Sequence, residues 1–283
     1  MKNYITLMKL RVVELLLVTT LPALFLASDG MPDIGVTFWS LFGGALAAGG
    51  ANAFNMVIEA KSDQLMKRTS QRPIATGVIS RNSGLVFAAI ISLLSLIIFY
   101  IFTTPLATLL TALAIIFYVF GYTIALKKHT SQNIVWGGIA GCMPVLIGQA
   151  AVTNSLTLTS WLFFLLIFFW TPPHFWALAV RYKEDYQAAG IPMLPVVAPI
   201  KSVINQMWFH SLAMAVVSLL VISSANLPIW LSVITLLLIV GWKRQLIKLT
   251  KQPTEVNAGK LFQASIIFLS IYSFLLVIGV LLK

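Results

Sequence analysis

Residues 81–128 read RNSGLVFAAIISLLSLIIFYIFTTPLATLLTALAIIFYVFGYTIALKK. Two apolar runs are joined there by the connection TTP, with Arg81 before the first run and Lys127 and Lys128 after the second. A helix of about 20 apolar residues crosses the hydrocarbon core of a bilayer. Because the connection is short and uncharged while both outer ends are cationic, this stretch predicts a helical hairpin that crosses a membrane twice.

Apolar runs of this length recur along the whole chain. None alternates with a period of two residues, as barrel strands would, so backbone hydrogen bonding in lipid leaves helices. We therefore expect an all-α fold, a polytopic membrane bundle in one domain over residues 1–283. The nine expected spans are 12–28, 36–57, 83–102, 105–126, 133–153, 158–180, 203–223, 227–247 and 261–282. Long and short basic connections alternate twice, which suggests two similar four-helix halves, 12–126 and 133–247, followed by a ninth helix at 261–282.

The composition excludes several classes of protein. Apolar residues make up 59% of the 283 residues, only 10% are charged, and the mean hydropathy is +0.94. A soluble domain carries about 25% charged residues, so a soluble enzyme or a nucleic-acid-binding module is excluded, since neither buries so much apolar surface. Cys142 is the single cysteine, which also excludes a secreted scaffold built on intrachain disulfides.

The net charge of +11 follows a membrane topology and does not indicate a nucleic-acid partner. Every Lys and Arg except Lys283 lies before the first span or at alternate connections, and the intervening connections are short and nearly uncharged. The positive-inside rule then places the N-terminus and the basic connections in the cytoplasm and the C-terminus outside. The N-terminal residues lack the cleavage pattern of a signal peptide, so we expect a multi-pass plasma-membrane protein that retains its first span.

Three oxygen-bearing side chains, Asn55, Glu59 and Asp63, follow at intervals of four residues at the basic end of the second span. If the helix continues beyond the hydrocarbon, they form one stripe on a single face. Such a stripe suits Mg²⁺, which keeps several waters and bridges to substrate phosphate. The alternative is a solvated helix end with ordinary orientation charges, although an amide inside an apolar run needs a partner. Cations that suit a diphosphate follow at Lys67, Arg68 and Arg72.

A second charged cluster, around Arg181 and Asp185, lies four spans later on the same side of the membrane. The two residues are four apart, so an ion pair at a helix end is one interpretation. The other is that Asp185 faces the first cluster across the mouth of the bundle and completes a site for a cation and a diphosphate. Gly190 and Pro192 end the helix that carries them.

Near the basic end of the sixth span, Pro172 and Pro173 precede His174. Two prolines remove two backbone donors, so we expect them to break or kink the helix and to free carbonyl oxygens. His174 is then either a structural histidine satisfied by those carbonyls or a ligand or acid–base group at a substrate cavity.

Four longer strings carry a family resemblance. They are NxxxExxxDxxMKRTxxRP at 55–73, KHTxxNIVxGG at 128–138, PPHFWALA at 172–179 and DYxxAGIPMLP at 185–195. With them the chain resembles the heme O synthase branch of the intramembrane prenyltransferase (UbiA) superfamily. This resemblance implies nine helices around a central cavity, Mg²⁺ as cofactor, and transfer of a farnesyl group from farnesyl diphosphate to a vinyl group of heme b, giving heme O. The implied partners are both substrates, the lipid bilayer and a heme A synthase acting downstream.

The resemblance also implies roles for single residues. Those implied for Mg²⁺ and diphosphate are Asn55, Glu59, Asp63 and Asp185. Those implied for neutralising the diphosphate charge are Lys67, Arg68, Arg72, Lys128 and Arg181. His174 is the implied heme ligand or acid–base group, with His129 second. Glu59 stands where the family usually has Asp, and Lys61 where it often has a further acid.

Three other functions remain open at this point. A related prenyltransferase would act on an aromatic quinone precursor, and the PPHFWALA string argues against that acceptor. A secondary transporter would also have many spans and apparent repeats, but transporters place polar groups near the membrane midplane. A structural subunit of a respiratory complex would leave the acidic clusters without a purpose.

Overall fold

The computed structural model describes residues 2–283, which are helical almost throughout and, over that range, contain no strand. In chain order the helices are α1 (Lys2–Leu7), α2 (Leu10–Ser28), α3 (Ile34–Ile58), α4 (Ala60–Gln64), α5 (Arg81–Phe102), α6 (Pro105–Leu126), α7 (Asn133–Thr153), α8 (Leu158–Arg181), α9 (Lys183–Ala188), α10 (Leu194–Val197), α11 (Ile200–Ser224), α12 (Ile229–Lys251) and α13 (Glu255–Leu281). Among these described residues, nine helices are long and apolar enough to cross a membrane, which confirms the predicted spans.

The helix ends differ from the prediction where polar residues continue a span into the interface. Helix α13 begins at Glu255 instead of 261, because Thr254 caps it by accepting a hydrogen bond from the Asn257 backbone at 3.3 Å. Helix α12 continues to Lys251, past the apolar run that defined the prediction. Hydropathy marks the hydrocarbon-spanning part of a helix, whereas caps decide where the helix ends.

Helix α8 corrects a second expectation. Pro172 and Pro173 lie inside it, yet α8 runs without interruption from Leu158 to Arg181. Helices α7, α11 and α13 all pack against α8. Prolines are tolerated in membrane helices that are buried by neighbouring helices, because side chains and local adjustments satisfy the freed backbone groups.

The spans form a closed ring in which each contacts the next along the chain and α13 contacts α2. Helix α2 also contacts α7, and α8 also contacts α13. At one end of the ring, Lys283 Nζ lies 2.6 Å from Asp29 Oδ1, so the C-terminus adjoins the connection between α2 and α3. At the opposite end, the basic connections after α3 and after α6 meet. The spans therefore alternate in direction as the distribution of charge predicts.

Candidate active site

A cavity of about 320 Å³ extends into the ring from the end that carries the basic connections. Its mouth is polar and is lined by Glu59, Asp63, Arg72 and Lys127. Its deeper part is lined mainly by apolar residues and glycines, among them Gly44, Phe99, Gly141, Ile147 and Ile167. Both Ser40 and Asn55 on α3 line it, and at 1.5 Å per residue they are about 22 Å apart along the helix. A charged mouth above a long apolar chamber suits a ligand with an anionic head and a hydrocarbon tail.

The predicted stripe of oxygen-bearing side chains is present at this mouth. Helix α3 ends at Ile58, and Glu59 leaves helical geometry with φ −88° and ψ 2° before α4 begins. Two backbone hydrogen bonds preserve the spacing across this break, from Glu59 N to Asn55 O at 2.9 Å and from Asp63 N to Glu59 O at 2.8 Å. Asn55, Glu59 and Asp63 therefore stay on one face, and all three are buried and line the cavity.

Each member of the stripe has a cationic partner. Buried carboxylates are costly unless they are paired, so such partners are expected for Glu59 and Asp63. The pairs are Asp63 with Arg72 at 2.8 Å, Glu59 with Lys127 at 2.5 Å, and Asn55 with Lys9 at 2.6 Å. The mouth therefore holds two acids and three basic side chains, an arrangement suited to binding a metal ion together with a diphosphate.

Lys9 is a site residue that the sequence did not reveal, since it was interpreted only as an orientation charge. It lies between α1 and α2 with φ 53° and ψ 58°, a left-handed conformation that costs a non-glycine residue roughly 1–2 kcal/mol. This backbone conformation accompanies the hydrogen bond from Lys9 Nζ to Asn55 Oδ1. Burial, helped by the positive charge of Arg72, lowers the pKa of the Lys9 ammonium to about 7.

Lys127 faces the cavity, whereas the neighbouring Lys128, which the loop motif singled out, is exposed to solvent. The last ten residues of α6, Phe117–Leu126, form a π-helix, and Lys127 N donates to Tyr122 O five residues back. Burial opposes ionisation of both Lys127 and Glu59, but their mutual attraction outweighs it. This attraction raises the pKa of Lys127 and lowers the pKa of Glu59. Both groups are therefore charged at neutral pH.

The π-helix also brings polar side chains of α6 to the stripe. Thr123 Oγ1 accepts a hydrogen bond from Asn55 Nδ2 at 3.1 Å, and the Tyr118 hydroxyl donates to Asn52 Oδ1 at 3.2 Å. The Tyr122 ring packs so closely over Gly137 that a Cβ atom there would clash with it. π-Helical segments occur frequently at functional sites. A change of helical register is not visible in a hydropathy pattern, so none of these residues was predicted.

Asp185 lies outside the lining of the cavity. Its Oδ2 accepts a hydrogen bond from the Arg68 backbone nitrogen at 3.3 Å, and the short helix α9 holds it at the rim. The alternative ion pair between Arg181 and Asp185 is not among those formed within residues 2–283. Over the same residues, no three His, Cys, Asp or Glu side chains cluster as a metal site. The structure therefore brings Asn55, Glu59 and Asp63 together without Asp185.

The remaining residues implied for the site, the cations and His129, divide into two groups. Arg68 and Arg72 line the cavity. Lys67, Lys128, Arg181 and His129 are exposed and do not line it. The His129 ring interacts locally, with Nδ1 2.9 Å from Ala125 O.

His174 also lies outside the cavity lining, unlike the interpretation that placed it at a substrate cavity. It is buried between α8 and α13, where its Nδ1 lies 2.5 Å from Ser265 Oγ. Its ring is stacked against Trp170 at 4.2 Å and against Phe262 at 4.5 Å. A serine on a neighbouring helix, not a freed carbonyl, is therefore its hydrogen-bond partner. Trp170 does line the cavity, so His174 supports the cavity wall from behind.

We expect His174→Ala to lower the stability of the folded protein by roughly 2–4 kcal/mol, as other large-to-small core substitutions do. The thermal midpoint of the detergent-solubilised protein measures this loss. Ser265→Ala, which removes only the hydrogen-bond partner, should give a smaller decrease. An unchanged midpoint, combined with weaker binding of heme b in an absorbance titration, would instead identify His174 as a heme ligand.

The chain is similar in sequence to known membrane prenyltransferases. Residues 16–276 match the model of the UbiA prenyltransferase family. The chain is 50% identical over 219 residues to a protoheme IX farnesyltransferase of Streptomyces coelicolor, covering 77% of this chain and 70% of that protein. It is 44% identical over 278 residues to a protoheme IX farnesyltransferase of Streptomyces avermitilis, covering 95% of this chain and 90% of that protein.

A solved structure shares the fold. The structure of a UbiA homolog from Archaeoglobus fulgidus bound to DMAPP and Mg²⁺ superimposes with a TM-score of 0.73 at 17% identity, covering 97% of this chain and 99% of the other. Since the family match extends over most of the chain and the architecture agrees, the chain belongs to the UbiA prenyltransferase family.

Proposed function

We propose that this protein transfers a farnesyl group from farnesyl diphosphate to a vinyl group of heme b, the reaction that gives heme O. The observation that carries the proposal is the cavity itself, with acids and cations at its mouth and an apolar interior about 22 Å deep along α3. An isoprenoid diphosphate has this distribution of charge and hydrocarbon. The names of the two Streptomyces relatives support heme b as the acceptor.

The residues at the mouth fit Mg²⁺ as cofactor. The carboxylates of Glu59 and Asp63 and the amide oxygen of Asn55 are hard oxygen donors on one face, and Mg²⁺ commonly completes its coordination with waters and phosphate oxygens. We assign these three residues to hold the ion, which supplies positive charge to the diphosphate when bound. The DMAPP and Mg²⁺ bound together in the Archaeoglobus fulgidus homolog support this assignment.

The cations of the mouth act on the leaving group. When the allylic C–O bond breaks, the diphosphate leaves with the electron pair and gains negative charge. Arg72 and Lys127 pair with the two acids, and Lys9 donates to Asn55, so all three are positioned to direct N–H donors at that charge as it forms. Buried donors that need no reorganisation are the most effective ones for this purpose.

The apolar interior protects the allylic cation from water until the vinyl group attacks it. The aromatic faces of Tyr122 and Trp170, which line the cavity, can attract the positive charge. The new C–C bond leaves a cation on the former vinyl group, stabilised by the porphyrin. Water adds to this cation and loses a proton, which gives the hydroxyethylfarnesyl side chain.

The site is assigned to the cytoplasmic face of the plasma membrane. All three ligands of the stripe lie at the end of the bundle that carries the basic connections. By the positive-inside rule this end faces the cytoplasm, with the N-terminus inside and the C-terminus outside.

A product assay tests the proposal. Membranes containing the protein are given heme b, farnesyl diphosphate and Mg²⁺, and the extracted hemes are analysed by mass spectrometry. We expect a heme with an added hydroxyethylfarnesyl group, and none when EDTA replaces Mg²⁺. If heme b stays unmodified while an aromatic quinone precursor is prenylated, heme b is not the acceptor, but the assignment of the diphosphate site still holds.

The depth of the cavity should set the length of donor that is used. Gly44 lines its deep part, and a Cβ there would meet only Leu17 at 3.9 Å, so a larger side chain can enter the chamber. We expect Gly44→Phe to lower kcat/KM for farnesyl diphosphate roughly tenfold, because overpacking a filled site costs roughly 1–3 kcal/mol. The shorter geranyl diphosphate should be nearly unaffected. Gly241→Phe, at an exposed position outside the cavity, is the matched control. If Gly44→Phe lowers kcat/KM equally for both donors, the farnesyl tail does not lie beside Gly44.

A further inference from the structure

Two arginines converge on one tyrosine at the rim of the cavity. Arg68 Cζ lies 5.9 Å from the centre of the Tyr182 ring, and Arg181 Cζ lies 5.5 Å from it. Arg68 follows α4 and lines the cavity, whereas Arg181 is the last residue of α8. Two distant segments of the chain therefore bring two guanidinium groups to a single aromatic platform.

These two charges have no carboxylate partner within the described part of the chain. The ion pairs formed there are Asp63–Arg72, Glu59–Lys127 and Asp29–Lys283. Asp185 is near, but its carboxylate accepts a hydrogen bond from the backbone nitrogen of Arg68. Both arginine side chains are exposed, so an incoming anion can reach them.

A glycine on α13 leaves room for one of the arginines. A Cβ atom on Gly259 would lie 3.3 Å from Arg181 Nη1 and 3.8 Å from its Cζ, so the guanidinium lies directly against the helix at this point. Packing between α13 and the Tyr182 ring restricts the Arg181 side chain. A restricted guanidinium loses less entropy when it binds a carboxylate.

The chemistry of the proposed acceptor indicates what this pair of arginines binds. Heme b carries its two vinyl groups on one edge of the macrocycle and two propionates on the opposite edge. Three other basic side chains already lie beside Asn55, Glu59 and Asp63, where the diphosphate is proposed to bind: Lys9, Lys127 and Arg72. If a vinyl group reaches the allylic carbon there, the propionates point back toward the rim, where Arg68 and Arg181 lie.

We infer that Arg68 and Arg181, both held beside the Tyr182 ring, bind the two propionate carboxylates of the acceptor and so orient its vinyl edge toward the donor. This inference rests on heme b being the acceptor, as proposed above. Arginine forms paired hydrogen bonds with carboxylates, which fixes orientation as well as affinity. The pair then selects a dicarboxylate porphyrin over an uncharged aromatic acceptor.

The test compares heme b with its dimethyl ester, in which both propionates are neutral. Detergent-solubilised protein is titrated with each heme by absorbance, and KM and kcat are measured with heme b and with farnesyl diphosphate. Arg181→Gln should raise the Kd and KM for heme b about tenfold, with little change in kcat or in the KM for farnesyl diphosphate. Its Kd for the dimethyl ester should equal that of the unsubstituted protein.

Two further variants sharpen the result. Lys183→Gln removes another exposed cation, two residues away, and should leave all these constants unchanged. Gly259→Val keeps the charge of Arg181 but displaces its guanidinium. Like Arg181→Gln, it should raise the Kd for heme b and leave the Kd for the dimethyl ester unchanged.

Three results would overturn the inference. If Arg181→Gln raises the Kd for heme b and for its dimethyl ester equally, Arg181 only shapes the fold. A raised KM for farnesyl diphosphate with unchanged heme affinity would place the arginines on the diphosphate. An unchanged Kd for heme b would exclude contact with its propionates. If the unsubstituted protein neither binds nor modifies heme b, the acceptor itself is wrong, and this separates the failure of the proposed function from failure of the arginine pair.

Discussion

Asp63→Ala is expected to reduce prenyl transfer at least about a hundredfold, because it removes a carboxylate proposed to hold Mg²⁺, whose positive charge would stabilise the leaving diphosphate. Asp63 is 3% exposed, lines the cavity mouth and accepts hydrogen bonds from Arg72 Nη1 on both carboxylate oxygens at 2.8 Å. The substitution removes a carboxylate that we propose binds the metal, and it also releases the Arg72 cation that the carboxylate positions. Turnover of heme b in the product assay, with Mg²⁺ in excess, measures the loss.

The fold should survive this substitution. The Arg72 side chain is 20% exposed, so after its partner is lost it can turn to water. Asp29→Ala is the matched control, because it breaks an ion pair of similar length, to Lys283, at the opposite end of the bundle. Thermal midpoints close to that of the unsubstituted protein would show that both variants are folded. Turnover in folded Asp63→Ala equal to that of the unsubstituted protein would remove Asp63 from the diphosphate site.

The second large effect separates two neighbouring lysines. Lys127→Met should lower turnover roughly a hundredfold, whereas Lys128→Met should change it less than about twofold, as surface substitutions do. The two variants lose the same charge from the same connection. Only Lys127 reaches the cavity, where its Nζ lies 2.5 Å from Glu59 Oε1. The contrast therefore tests the register that the π-helix gives to the end of α6.

Loss of Lys127 also leaves Glu59 buried beside one fewer cation, so a stability effect must be distinguished from a catalytic one. Lys127→Arg keeps the positive charge and should recover part of the activity. The readout is the initial rate of each variant divided by its folded fraction, which is measured by gel filtration. Equal effects of Lys127→Met and Lys128→Met, or a larger effect of the latter, would contradict the arrangement.

The position of the charged groups also separates the alternatives that the sequence left open. A secondary transporter places its polar binding groups near the membrane midplane, at interrupted helices. Here the acids and cations gather at one end of the bundle, and α8 is continuous through both of its prolines. That distribution suits an enzyme whose charged substrate group enters from one membrane face.

The spans were predictable because the cost of exposing polar groups to lipid acts on each segment separately. The stripe Asn55, Glu59 and Asp63 was predictable for a similar reason, since a spacing of four residues is a local property of a helix. Even the break at Glu59 leaves that spacing intact. These features needed no knowledge of the tertiary structure.

Two of the three partners of the stripe were not predictable, because Lys9 and Lys127 come from distant segments of the chain, whereas Arg72 follows Asp63 in the same segment. Lys9 lies 46 residues before Asn55 in sequence and reaches it through a left-handed backbone conformation. Lys127 is oriented by a π-helix that a hydropathy pattern does not reveal. His174 was expected beside carbonyls freed by a broken helix, but packing keeps α8 continuous and gives the imidazole a serine on α13.

Binding of a donor analogue tests most directly whether the acids of the mouth hold the metal and the diphosphate. Farnesyl S-thiolodiphosphate, which ionises poorly, can be titrated into the purified protein by calorimetry with Mg²⁺ or with EDTA. We predict tight binding only with Mg²⁺, and a Kd at least about tenfold higher in Asp63→Asn. Equal affinities with and without Mg²⁺, unchanged in Asp63→Asn, would contradict the assignment of the diphosphate to this end of the cavity.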